Sequence, residues 1–84
     1  MSESIRKRRE HRQRFLRLLY DEADGSVSEF VSAYDIGAVL GIDDVESRKI
    51  FEYLEEKGFV MVDDHRAGIV RITAAGVDEV ESGS

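Results

Sequence analysis

The 84-residue chain contains no cysteine, which excludes a disulfide, a thiolate nucleophile and a zinc site built on thiolates. No apolar run approaches the roughly 18 residues that a membrane-spanning helix needs, so no membrane partner is expected. The first residues are charged and lack an apolar segment, so we do not expect a signal peptide. The missing cysteine agrees with a reducing compartment, and a cytoplasmic location is predicted.

Motifs for catalysis are missing as well. The sequence has no Gly-rich phosphate loop and no nucleophile paired with a base. The two histidines, His11 and His65, fall in different predicted elements. The pairs Asp43-Asp44 and Asp63-Asp64 lack the ligand spacing of an EF-hand loop. We therefore predict that the chain is not an enzyme and that it has no metal site and no cofactor.

Charge is distributed unevenly along the chain. The net charge is −6, but residues 1–20 hold seven Arg and Lys against two Glu, whereas residues 21–84 hold five against sixteen Asp and Glu. This acidic, lysine-poor composition resembles that of proteins from salt-adapted organisms, in which high salt weakens the phosphate contribution to DNA binding. The acidic part of the chain thus has two interpretations, salt adaptation or a surface for a basic partner.

A first helix is predicted over residues 4–23. Apolar residues recur there at the spacing of one helix face, namely Phe15, Leu16, Leu19 and Ala23. The same stripe turns basic upstream of His11, so residues 1–10 are expected to extend beyond the core. The basic cluster of this helix comprises Arg6, Lys7, Arg8, Arg9, Arg12, Arg14 and Arg17. It has three interpretations: a solvated face, an arm that contacts phosphates, or a contact between the first helices of a homodimer.

A second helix is predicted to begin after Ser32, which resembles the first residue of a capping box. Gly41 stands where a left-handed residue ends such a helix, and Ile42 can then fold back onto it. The predicted buried face of the second helix consists of Ala33, Ile36, Val39 and Leu40.

A third helix is predicted over residues 44–57, with Asp43 as its N-terminal cap. Ile50 and Leu54 form the centre of its buried face, and Ser47 leans toward the core. Gly58 closes this helix in the pattern of a Schellman motif.

A hairpin follows the third helix. Residues 59–63 and 69–73 are rich in β-branched and aromatic residues, as strands are, and residues 64–68 form a turn that ends in glycine. Thr73 then caps a short last helix over residues 74–81. A very short strand is predicted at residues 30–31, ahead of the second helix.

This order of elements resembles the winged helix-turn-helix superfamily, and residues 33–42, 48–60 and 70–76 carry the resemblance. It implies one α+β domain over residues 1–84, with a three-helix core, a C-terminal β-hairpin wing and a short last helix. The helix-turn-helix would span residues 32–57 and the wing residues 59–73. The superfamily includes DNA readers, dimerisation modules and protein-docking modules, so the fold alone does not decide the function.

In a typical member the third helix enters the major groove and the wing contacts phosphates. Arg48 is the candidate for reading guanine, because a guanidinium can bond O6 and N7 together. Lys49 is placed to reach a phosphate. The full set of predicted DNA contacts is Val45, Arg48, Lys49, His65, Arg66 and Arg71.

An acidic row on the third helix opposes this assignment, because carboxylates repel phosphate. The row consists of Glu52, Glu55 and Glu56. It can instead form a docking face for a basic protein partner. The resemblance favours a DNA-binding transcriptional regulator. The alternative is a dimerisation or protein-docking winged helix module without DNA affinity.

Overall fold

The computed structural model describes the backbone of residues 2–83 and the side chains of residues 5–83. In chain order the elements are α1 (Ser2–Glu22), β1 (Val31–Ser32), α2 (Ala33–Val39), α3 (Asp44–Glu56), β2 (Val60–Asp64), β3 (Ile69–Ile72) and α4 (Ala74–Ser82). The strands form one antiparallel sheet in the order β1-β3-β2. The predicted α+β class is confirmed, and each predicted element boundary lies within two residues of the observed one.

The helix ends follow the hydrogen bonds that the sequence predicts. Ser32, Asp43 and Thr73 each accept a bond from the backbone N–H three residues later. At the end of α3 the N–H of Phe59 donates to the carbonyl of Leu54 (2.9 Å), as a Schellman motif requires. These local bonds use polar groups that a helix end otherwise leaves unpaired, so they fix where each helix begins and ends.

Two successive residues after α1 have left-handed backbone conformations. Asp24 is the first residue with a positive φ (54°), and Gly25 follows it at 71°. The Gly25 N–H then donates to the carbonyl of Tyr20 (3.0 Å). Aspartate tolerates the left-handed region better than most residues, because its short polar side chain can bond locally.

The core lies where α1, α2 and α3 meet the sheet. Phe15 and Leu19 of α1 are fully buried there, together with Phe51 of α3. The Tyr34 ring meets the Phe51 ring edge-on, with the centroids 5.9 Å apart. The predicted apolar face of α1 is confirmed. Ser47 also faces the core as predicted, and its hydroxyl has no hydrogen-bond partner among the described residues.

One predicted core residue is not in the core. The sequence predicts Val39 in the buried face of α2, but its side chain is 74% exposed. The short helix buries Ala33, Ile36 and Gly37 instead. At about 100° per residue, Val39 projects roughly 110° away from the centre of that face. The buried position of Gly37 brings α2 close to α3, and a Cβ atom at Gly37 would overlap the Oγ atom of Ser47.

The β2–β3 hairpin is joined to the helices at its turn. The carboxylate of Asp64 accepts bonds from the N–H groups of Arg66 and Ala67, each 3.0 Å long. The carbonyl of Gly68 accepts from the N–H of Ala33 at the start of α2 (2.7 Å). The end of the hairpin turn is therefore held against the start of α2.

Candidate nucleic-acid interface

The outer row of α3 is the surface that the sequence assigns to DNA. With Ser47, Ile50, Phe51 and Leu54 buried, helical spacing turns Val45, Lys49, Glu52 and Glu56 away from the core. Val45 is 67% exposed. The Lys49 ammonium forms no ion pair or hydrogen bond with any described residue. The row thus offers one unpaired cation beside two carboxylates.

Arg48 lies next to this row and is already paired. Its Nε atom donates to Oε2 of Glu52 across 3.2 Å, one turn along the helix. Both side chains are about half exposed, at 53% and 47%. A solvated pair of this kind stabilises the fold little. It uses one donor of the guanidinium and places a carboxylate beside the group that would contact a guanine.

The hairpin turn carries the next two candidates. His65 Nε2 donates to Oε1 of Glu55 on α3, across 3.2 Å. This contact joins the tip of the hairpin to the C-terminal half of α3. The guanidinium of Arg66, by contrast, has no partner among the described side chains. Arg66 is therefore the cation of the hairpin that is available to a ligand.

Arg71 is held on the outer face of the sheet. Its guanidinium donates to both carboxylate oxygens of Asp63, at 2.9 and 3.0 Å, and to the sulfur of Met61 at 2.9 Å. It also lies 5.3 Å from the centroid of the Phe30 ring. The bonds from Arg71 hold the pKa of Asp63 below its usual value and raise the pKa of Arg71. A phosphate contact by Arg71 would have to compete with this bidentate pair.

The basic cluster of α1 approaches α3 from one side. The Arg12 guanidinium stacks 4.1 Å from the centroid of the Tyr53 ring, and the Lys57 ammonium lies 6.0 Å from the same centroid. Stacking of a cation on an aromatic ring is favourable electrostatically. This contact joins Arg12 of α1 to the C-terminal half of α3.

The basic half of α1 and the hairpin lie on opposite flanks of α3. Arg12 contacts Tyr53, whereas the hairpin reaches Glu55 through His65. Tyr53 and Glu55 are two positions apart, which is about 200° around a helix axis. The exposed outer row of α3 therefore runs between two flanking elements. The α1 flank carries most of the positive charge, because the hairpin flank is largely paired internally.

The N-terminal part of α1 stands clear of the core. The side chains of residues 5–10 are all exposed, and Phe15 is the first buried residue among the described side chains of the helix. The sequence predicts an extension over residues 1–10, and the side chains of residues 1–4 lie outside the described part of the chain. Within the basic cluster only Arg17 reaches a carboxylate of the described residues, that of Asp21 at 4.0 Å.

Two contributors to this basic surface are not in the predicted site. Tyr53 provides the ring on which Arg12 stacks, and Lys57 extends the cluster onto α3. A sequence signal for them exists, because Lys49, Tyr53 and Lys57 recur every four residues and so share one stripe of the helix. Tyr53 in this stripe contacts Arg12 of α1, about forty residues earlier in the chain. The spacing on α3 does not predict this contact.

The described residues also bear on metal binding and on membrane crossing. Within residues 5–83, no group of three or more His, Asp or Glu side chains is arranged to hold a metal ion. In the same range no helix combines the length and the apolar character that crossing a bilayer takes.

Comparison with known proteins gives no assignment: no family model matches the chain, and no curated protein or solved structure matches it significantly.

Proposed function

We propose that the chain is a DNA-binding domain of the winged helix-turn-helix type, acting in transcription regulation in the cytoplasm. The support for this type is the arrangement of α2 and α3 around a four-residue connection (40–43), followed by the β2–β3 hairpin as the wing. We further propose that the basic half of α1, rather than α3, supplies most of the phosphate contacts.

The observation that carries this proposal is which of the cationic side chains are already bonded to carboxylates within the domain. Arg48, His65 and Arg71 are each bonded to a carboxylate of the same domain. The exposed cations of residues 5–10 have no such partner among the described residues. Phosphate contacts release counterions, so cations without an internal partner contribute more to DNA affinity than paired ones.

In this proposal the outer row of α3 has a secondary role. Lys49 in the row and Arg66 on the hairpin remain available to phosphates, while Glu52 and Glu56 repel phosphates. Binding is therefore expected to depend mainly on the charge of the DNA backbone and only weakly on base sequence. Strong dependence on salt follows from the same physics.

The test is a titration of labelled duplex DNA at several salt concentrations, with wild type and two double variants. Arg8→Gln with Arg9→Gln removes two arginines from α1, and the matched control Arg48→Gln with Arg66→Gln removes two from α3 and the hairpin. Each lost phosphate contact should reduce the slope of log K against log salt by about 0.9. We expect a reduction of about 1.8 for the first variant and no more than about 0.9 for the second.

The outcomes separate the two parts of the proposal. A larger slope change in the control would place the main phosphate contacts on α3 and the hairpin, against our assignment to α1. Absence of binding by the wild type even at low salt would contradict the DNA-binding function as a whole.

The alternative function is protein docking through the acidic face of α3. That face is less open than the sequence suggests, because Glu52 and Glu55 already bond Arg48 and His65. Only Glu56 of the three is without a partner among the described residues. The same internal pairs thus reduce the charge available to a basic protein and the charge available to DNA.

A further inference from the structure

A group of exposed apolar side chains on the domain has no role in the proposed DNA contact. Leu18 of α1 and Val39 of α2 both line two adjacent grooves, so they form a ridge between them. Val39 is the most exposed of the large apolar side chains that the structure describes. Phe30, 62% exposed, lines the second groove with them. We call Leu18, Val39 and Phe30 together the apolar ridge.

Charge changes sign along α1 at this ridge. Lys7, Arg14, Leu18 and Glu22 fall on one flank of the helix, because their spacings of 7, 4 and 4 residues keep them within about 80° of one another. The cations lie on the N-terminal side of Leu18 and the carboxylate lies on the C-terminal side. The groove on the acidic side is lined by three carboxylates, those of Glu22, Glu29 and Asp35. No cation among the described residues lines it.

We propose that a second copy of this chain covers the apolar ridge, in a two-fold dimer with the α1 helices antiparallel and crossing at Leu18. A two-fold axis at Leu18 places residues four before it opposite residues four after it. Arg14 then faces the partner's Glu22, and the same pair forms again on the other side of the axis. Lys7 is carried toward the acidic groove of the other copy.

Charge complementarity selects this occupant and this direction. A parallel pairing would place Arg14 opposite the partner's Arg14 and Glu22 opposite the partner's Glu22. Both contacts bring like charges together and are repulsive. The antiparallel pairing is self-complementary, as a closed two-fold interface must be. Val39 and Phe30 become buried in it, and burial of apolar area is the main favourable term in such an association.

The dimer uses Lys7 and Arg14 of the basic cluster and leaves Arg9 to DNA. Arg9 lies nine positions from Leu18, which is about 180° around the helix axis. The proposal does not depend on DNA binding, and its test is carried out without DNA. A monomer that binds DNA would contradict the dimer alone, and a dimer that does not bind DNA would contradict the proposed function alone.

The first test is sedimentation velocity over a wide range of protein concentration. We expect wild type to move from monomer to dimer with no larger species, and Val39→Lys to raise the dimer dissociation constant by about tenfold or more. The control is Val45→Lys, a valine of similar exposure on the outer row of α3, which should change the constant less than about twofold. A wild type that stays monomeric, or equal effects of the two variants, would overturn the proposal.

The second test checks the direction of the helices. Arg14→Glu and Glu22→Arg should each weaken dimerisation at low salt, because each places like charges together across the axis. The double variant restores opposite charges and should recover most of the wild-type affinity. At high salt the charge effects should shrink while the Val39→Lys effect persists. A double variant no better than the single ones, or species larger than a dimer, would refute the antiparallel two-fold arrangement.

Discussion

The guanidinium of Arg48 and the carboxylate of Glu52 lie 3.2 Å apart, one turn from each other on the exposed side of α3. Arg48 is the residue best suited by its chemistry to read a guanine, and its neighbour on the same helix already bonds it. The bond uses only the Nε atom, so the two terminal nitrogens of Arg48 have no partner among the described residues. A base contact by these nitrogens would still bring the Glu52 carboxylate close to the DNA.

Neutralising Glu52 should strengthen DNA binding. In Glu52→Gln the guanidinium of Arg48 loses its charged partner and the outer row loses one repulsive charge. We expect affinity for duplex DNA to rise by about tenfold at low salt, for all sequences alike, and the gain to shrink as salt is added. Fluorescence anisotropy with labelled DNA measures it. Asp78→Asn removes the same charge from α4 and serves as control, and an equal gain there would indicate a net-charge effect only.

The close approach of Gly37 to Ser47 should limit which side chains position 37 of α2 tolerates. Gly37→Ala would place a methyl group on the Ser47 hydroxyl, and overpacking of this kind costs about 1–3 kcal/mol. Ser47→Ala removes a buried hydroxyl that has no partner among the described residues, so we expect it to be neutral or to stabilise by about 1 kcal/mol. Urea denaturation gives both values.

The double variant tests whether the two effects share one cause. Without the Ser47 oxygen, the new methyl group at Gly37 meets the Cβ of residue 47 at 3.0 Å and the carbonyl of Ile42 at 3.3 Å. The double variant should therefore be clearly more stable than Gly37→Ala alone. Additive effects would mean that the damage at Gly37 does not come from the Ser47 hydroxyl.

Gly68 and Gly41 allow strain and contact to be separated. Both have a positive φ, 70° and 73°, so alanine should cost about 1–2 kcal/mol at either site. At Gly68 a Cβ atom would also lie 2.6 Å from the Tyr34 ring, whereas at Gly41 it would meet nothing within 4 Å. We expect Gly68→Ala to lose more stability than Gly41→Ala by about 1–3 kcal/mol. Equal losses would show that the Tyr34 ring moves aside.

What the sequence predicts correctly is mostly local. The caps at Ser32, Asp43 and Thr73 depend on residues three positions apart, and each is formed. The predicted burial of Val39 is wrong because α2 has only seven residues and turns few of them toward the core. Arg48 and Glu52 are four residues apart, which is a spacing at which opposite charges pair on a helix.

The partners that set the electrostatics of the site come from distant segments. Glu55 bonds His65, and Tyr53 stacks with Arg12, across the fold. Neither spacing along the chain indicates such a pairing, because it depends on how α1 and the hairpin pack on α3. Sequence patterns therefore locate the charged residues of the candidate site but do not tell which of them are already paired.

The pair formed by Arg71 and Asp63 should make the domain sensitive to acid. Hydrogen bonds from Arg71 lower the pKa of Asp63 in the folded state. A lowered pKa stabilises the fold above the usual aspartate value of about 3.9, and that stability disappears as the pH falls through the folded-state pKa. The free energy of unfolding of wild type should therefore fall more steeply below about pH 4 than that of Asp63→Asn.

Urea denaturation at a series of pH values measures both slopes, with Asp78→Asn as a control that should follow wild type. If Asp63→Asn and wild type lose stability in parallel, the bidentate pair contributes nothing to the acid response, and the outer face of the sheet is held by the stacking of Arg71 on Phe30 instead.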